Sequence, residues 1–346
     1  MLQHLLAWHR ERYPMMQAQD IVKLIFQAYR GCGHLLGPED AVTRRIEDEC
    51  ARLSPCADEP LTEPLGDRYV RLNLRRAMHE GIRPLWIARI MKLSCTEEPY
   101  GNVRDVIGVI QGMQDYNDPA MHDALRPLLE NESWLPSHSA EYHAHYAPAY
   151  RVIERKYAYL LPVLCAAGKI EKNHVLIGID GRCASGKSTL AGRLAAILGG
   201  IVVSMDDFFT PHAEKTPERL ALPGGNADVL RFRDEVLTPW LKNGTTSYRP
   251  YSCHEDRLLE PVTVPPTPYM IVEGSYCFHP DAGRPYDVSV FLSVPFEEQV
   301  RRIGQRDGDW LLQRFIHEWI PLEEAYFSAF GLPDDKCITL RQPDQC

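Results

Sequence analysis

The stretch Val175-Leu176-Ile177-Gly178-Ile179-Asp180-Gly181-Arg182-Cys183-Ala184-Ser185-Gly186-Lys187-Ser188 decides how this chain reads. It begins as a short apolar run, turns on glycines and passes into the helical apolar spacing of residues 190–198. Its last eight residues fit G-x-x-x-x-G-K-[ST] at every fixed position. The loop stands between a strand and a helix, the context that separates a phosphate cradle from a chance match. Glycines let the backbone wrap closely, so successive N–H groups aim at phosphate oxygens. The helix starting near Lys187 adds the positive end of its dipole. Lys187 reaches the β- and γ-phosphates, and the Ser188 hydroxyl suits Mg²⁺. The expected nucleotide contacts are Gly181, Arg182, Cys183, Ala184, Ser185, Gly186, Lys187, Ser188 and Thr189.

Outward from this loop, the chain changes character near residue 170. Beyond it, strands at 201–205, 269–272, 288–292 and 336–340 alternate with helical segments, which implies a parallel sheet covered on both faces. Such sheets place ligands beyond the carboxyl ends of their strands. Before it, apolar spacing is mostly helical: Ile21, Leu24, Ile25 and Ala28 share one face, as do Leu85, Ala88, Ile90 and Leu93. Residues 149–167 read as one long helix that Pro162 kinks, and residues 69–74 alternate like a short strand. The expected fold is an α/β P-loop NTPase domain at 169–346, preceded by a mainly α-helical domain at 1–168.

The 346 residues are 45% hydrophobic and 25% charged, an ordinary balance for a globular chain. A formal net charge of −9 argues against nucleic acid or an anionic membrane as the main partner. No apolar run reaches the about 18 residues of a membrane span, and the first residues lack the order of a secretion signal. The ten cysteines form no C-x-x-C pair and scatter from Cys32 to Cys346. Free thiols in a cytoplasmic protein are the simpler expectation.

The class of P-loop protein follows from what accompanies the loop. No N-K-x-D segment is present to read guanine, and no D-x-x-G follows the loop. The second acidic strand ends Ile271-Val272-Glu273-Gly274 rather than in Asp-Glu. A kinase needs a carboxylate near the acceptor hydroxyl, a metal-binding acid and arginines over the migrating phosphoryl group. Asp206-Asp207 ends the strand after the loop, and Asp206 is the expected catalytic base. The plain alternative is that such aspartates cap a turn; with two adjacent, one can cap while the other catalyses. Glu273 suits Mg²⁺ together with Ser188. Arg301, Arg302, Arg306 and Arg314 lie on a helix that can close over the phosphates, Arg302 and Arg306 being the expected catalytic pair. A solvated helix face explains the same arginines.

These residues resemble the uridine kinase and phosphoribulokinase group of P-loop kinases. The resemblance covers roughly the C-terminal half. It rests on Ile179-Asp180-Gly181, Ser204-Met205-Asp206-Asp207-Phe208-Phe209, Asn226-Ala227-Asp228, Arg249-Pro250-Tyr251 with His254 and Arg257, and Val272-Glu273-Gly274. It implies that Asp206 is the base, that Tyr251, His254 and Arg257 line the acceptor, and that later arginines form a lid. The tyrosine-to-histidine spacing is shorter than in the nucleoside kinases, the lid is poorer in arginine, and Pro223-Gly224-Gly225 leads differently into the Asn-x-Asp region. The segment Trp319-Ile320-Pro321-Leu322-Glu323 resembles a bacterial subfamily called uridine kinase on its P-loop domain, with an added N-terminal helical domain. The implied fold is thus firmer than any acceptor.

The N-terminal half carries little readable chemistry. His138, His143 and His145 could hold a metal, but His143 and His145 share no helical face, and structural histidines are the better expectation. The expected activity is an ATP-dependent phosphotransferase with an alcohol acceptor, using ATP and Mg²⁺ on a nucleoside-, sugar- or vitamin-like molecule. The competing readings are an ATP-binding regulator and a kinase acting on a macromolecule. Homo-oligomerisation is compatible with all three.

Overall fold

The computed structural model describes residues 2–95 and 99–341, the His34 side chain excepted, so Cys346 lies outside the described residues. The chain divides into two compact units, Met1–Leu161 and Pro162–Cys346. Among the described residues, no helix is long and apolar enough to cross a membrane.

The first unit is rich in helices, including Ala18–Arg30, Glu39–Cys50, Pro84–Leu93 and Pro119–Glu130. Ile21, Leu24, Ile25 and Ala28 are buried as their spacing implies. The helices accompany a small antiparallel sheet of β1 (Thr62–Leu65), β2 (Tyr69–Asn73) and β3 (Tyr150–Glu154), in that order. The strand expected at 69–74 is β2. The long helix expected over 149–167 is not formed. Its first part is β3, and only Arg155–Ala158 and Leu161–Gly168 are helical. The β-branched Val152 and Ile153 suit a pleated surface better than a helix turn. Their pairing with Arg71 and Val70, some eighty residues earlier, settles the matter.

In the second unit, β4 (Val175–Gly181), β5 (Ile201–Ser204), β10 (Tyr269–Glu273), β11 (Val288–Ser293) and β12 (Cys337–Arg341) form a five-stranded sheet in the order β12-β11-β4-β10-β5. Every pairing is parallel. Between β5 and β10 lie four short strands, β6 (Thr246–Tyr248), β7 (Tyr251–Ser252), β8 (Arg257–Leu258) and β9 (Val262–Val264), which pair as β6-β9 and β7-β8. All seven residues of β4 are buried, as a central parallel strand requires. The core beside it joins Leu176, Val203 and Met270 to Phe208, Phe232 and Trp240. With β10 between β4 and β5, Glu273 falls level with Ile179 and Ser204. The strand order therefore sets Glu273 between the glycine loop and the Asp206 turn.

Candidate active site

The loop after β4 is bent by backbone that few side chains tolerate. Gly181 has φ +137°, and a Cβ there would meet the Leu292 carbonyl oxygen at 2.0 Å. Ala184 (φ 56°) and Gly186 (φ 97°) also take positive φ. Such alternation turns successive N–H groups inward. The helix Lys187–Leu198 begins at the loop's end.

Lys187 is buried and donates to the carbonyls of Gly181 (2.7 Å) and Arg182 (2.9 Å) and to Ser275 Oγ (3.3 Å). It thus points along the loop, tethered by neutral acceptors. The buried Ser185 hydroxyl has no hydrogen-bond partner among the described residues. A spare buried donor and a lysine held by carbonyls both fit an anion in the cradle.

Glu273 stands opposite. Its carboxylate accepts from Ser188 Oγ (3.1 Å) and Ser204 Oγ (3.0 Å). Burial pushes this carboxyl above the usual glutamate range, against the Ser204 hydrogen bond and the charge of Lys187, while Asp206 adds to the rise. A carboxylate and a serine hydroxyl held together as hard oxygen donors fit a divalent cation such as Mg²⁺.

The two aspartates differ in exposure and partners. Asp207 is half-buried and accepts from Tyr248 (3.0 Å); burial is the main cause of its raised carboxyl pKa. Asp206 is exposed, with its backbone N–H on Ser204 Oγ (3.3 Å), and its charge acts on Glu273, Cys253 and Arg306.

The β7-β8 hairpin packs against the turn Met205–Phe208 that carries Asp206. Tyr251 is buried and its hydroxyl donates to Asp256, so it braces the hairpin. His254 is exposed at the hairpin's turn, and Arg257 is exposed and paired with Glu255.

The arginines lie on Phe296–Arg314, a helix interrupted at Gly308 (φ 77°, ψ 170°). Arg302 donates to the Ala184 carbonyl of the loop (3.3 Å) and pairs with Glu298. Arg306 pairs with Asp307 and lies in the field of Cys183 and Asp206. Arg301 and Arg314 pair with Glu298 and Glu318 on exposed helix faces.

Three residues at the loop escaped sequence reasoning. Glu323, buried on the helix Ile320–Phe330, accepts from the Cys183 N–H (2.8 Å) and the Ser275 hydroxyl (2.5 Å). Its neighbour Glu324 holds Arg182 through two bonds of 2.5 and 2.9 Å. Ser275, two residues past Glu273, links Glu323 to Lys187. Ser275 was within reach of a reading that followed the acidic strand two residues further. Glu323 closes the segment Trp319–Glu323 quoted for the subfamily resemblance, but nothing local ties it or Glu324 to a loop about 140 residues away.

In the other unit, His138 bonds Asp20 (2.8 Å) and the Tyr150 hydroxyl (2.7 Å), whereas His143 and His145 are exposed. No group of three or more metal-ligating side chains gathers among the described residues.

No family model matches the chain, and no curated protein matches it. Solved structures match its C-terminal half. A "possible uridine kinase" from Bacillus stearothermophilus is similar at 19% identity and TM-score 0.41, covering 53% of this chain and 96% of that one. A candidate fructose transport system kinase from Silicibacter sp. TM1040 is similar at 25% identity and TM-score 0.42, covering 50% of this chain and 94% of that one.

Proposed function

We propose that the second unit transfers the γ-phosphoryl group of ATP to a hydroxyl of a small molecule. The observation that carries this reading is the grouping of Lys187, Ser188 and Glu273 at adjacent strand ends, with the exposed Asp206 carboxylate acting on Glu273. A regulator needs the cradle but has no use for a free carboxylate beside it. A phosphoryl acceptor site needs both.

The loop N–H groups and Lys187 bind the β- and γ-phosphates, with Arg302 and Arg306 closing over them to exclude water. Ser188 and Glu273 are the residues that would hold Mg²⁺, which would supply positive charge to offset that of the phosphates. Asp206 accepts the proton of the attacking hydroxyl at its carboxylate. Tyr251 braces the hairpin on which His254 and Arg257 offer the acceptor polar contacts. A cavity of about 510 Å³, lined in part by Arg182, Pro295, Phe296, Gln299 and Arg341, suits the adenine ring beside the loop.

Asp206→Asn tests the reading. It should keep ATP affinity within about threefold while acceptor-dependent turnover falls about 10²- to 10⁴-fold, the usual range for a lost general base. Unchanged turnover in this variant would remove Asp206 from the chemistry.

A further inference from the structure

The first unit contains its own charged cavity, which the phosphoryl-transfer reading does not use. It has a volume of about 360 Å³ and is lined in part by Arg71, Arg75, Arg12, Glu63, Tyr146 and Tyr150. Arg71 is only 2% exposed. A guanidinium does not shed its proton to escape burial, so it needs a counter-charge. Among the described residues Arg71 has no carboxylate within ion-pair distance. It donates from Nη2 to the neutral Gln27 (2.9 Å) and stacks over Tyr150 at 4.4 Å, and its buried Nε has no partner.

The two carboxylates that line the cavity are engaged elsewhere. Glu63 faces Arg71 across the β1-β2 pair but accepts from Tyr13 and from Arg12 Nε (3.2 Å). Glu59 accepts from Asn73 (2.6 Å). Arg75 is half-buried and reaches only the Ala147 carbonyl (3.4 Å), again with no carboxylate partner among the described residues. The surplus charge is felt nearby. Burial first and Arg71 second hold His9 down to about 3 and Lys23 down to about 8.

The surroundings are tied together by hydrogen bonds and ring contacts. Asp20 fixes His138, which fixes the Tyr150 hydroxyl beneath the guanidinium. Tyr13, Tyr142 and Tyr146 pack edge-to-face or tilted against one another with centroids 4.9 to 5.3 Å apart, giving an aromatic wall. We infer that this cavity binds a small organic oxyanion, a carboxylate or a phosphate ester, whose negative group meets Arg71 and Arg75 and whose apolar part packs on the tyrosines.

Calorimetric titration of the full chain with benzoate, phenyl phosphate and uncharged benzamide tests this. At least one anion should bind ten or more times more tightly than benzamide, and the better of the two identifies the oxyanion. Its affinity should survive Lys187→Ala, which removes the lysine of the other unit's phosphate cradle, and weaken at least tenfold in Arg75→Gln. Arg75 is half-buried with a single carbonyl contact, so this variant should fold even if Arg71→Gln does not. Binding of neither anion, equal binding of benzamide, or loss in Lys187→Ala with retention in Arg75→Gln would overturn the inference.

Discussion

Asp180 ties the start of the glycine loop to two other segments through its side chain. Fully buried, it accepts from the N–H groups of Gly181 (2.7 Å) and Phe278 (3.0 Å) and from the Tyr326 hydroxyl (2.9 Å). Burial nevertheless outweighs these bonds and lifts its carboxyl from an ordinary 3.8 to about 6. The folded state therefore binds this proton more tightly than the unfolded chain. Its stability contribution is full below about pH 4 and is lost as pH rises through 6, by up to about 3 kcal/mol. Denaturation of wild type and Asp180→Asn at pH 4.5 and 7.5 should show wild type losing ground to the variant at the higher pH. Glu323 makes a second prediction at this scale. Glu323→Ala removes both acceptor oxygens, leaving the Cys183 N–H without its partner and the Ser275 hydroxyl without the carboxylate. A loss of roughly 1–3 kcal/mol is expected, along with weaker ATP binding because Ser275 no longer steadies Lys187. Denaturant midpoints and ATP titration measure both.

Elements were legible where their signal is local. The loop, its flanking strand and helix, and the later strands each announce themselves within a dozen residues, as Gly181, Lys187 and the apolar runs demonstrate. The misread stretch at 149–167 fails for a physical reason. Leu160, Leu161 and Leu164 keep a helical rhythm, while Val152 and Ile153 answer to β2, which no local window contains. The same non-local logic hid Glu323 and Glu324 on their distant helix. Gly181 tests the element where reading was firmest. Gly181→Ala would force a side chain to φ +137° against the Leu292 carbonyl. The backbone strain alone costs roughly 1–3 kcal/mol, so the variant should lose both thermal stability and ATP binding. Scanning calorimetry with and without MgATP would show whether the nucleotide still raises the melting temperature.

At the scale of the whole molecule, the sequence names one unit's chemistry and is nearly silent on the other's. A phosphate cradle is a contiguous motif because its contacts come from consecutive backbone N–H groups. The first unit's cavity, by contrast, is assembled from side chains far apart in the chain. Arg71, Arg75 and Tyr150 meet only after β2 and β3 pair, and nothing in their spacing foretells it. The most direct measurement is ADP release from MgATP by the full chain, challenged with pooled nucleosides, sugars, vitamins and amino-alcohols, with Lys187→Ala as the blank. The account predicts that at least one pool raises turnover well above the blank, and that the blank falls on the order of 100-fold below wild type with that pool. Tight ATP binding with no pool exceeding the blank would contradict it.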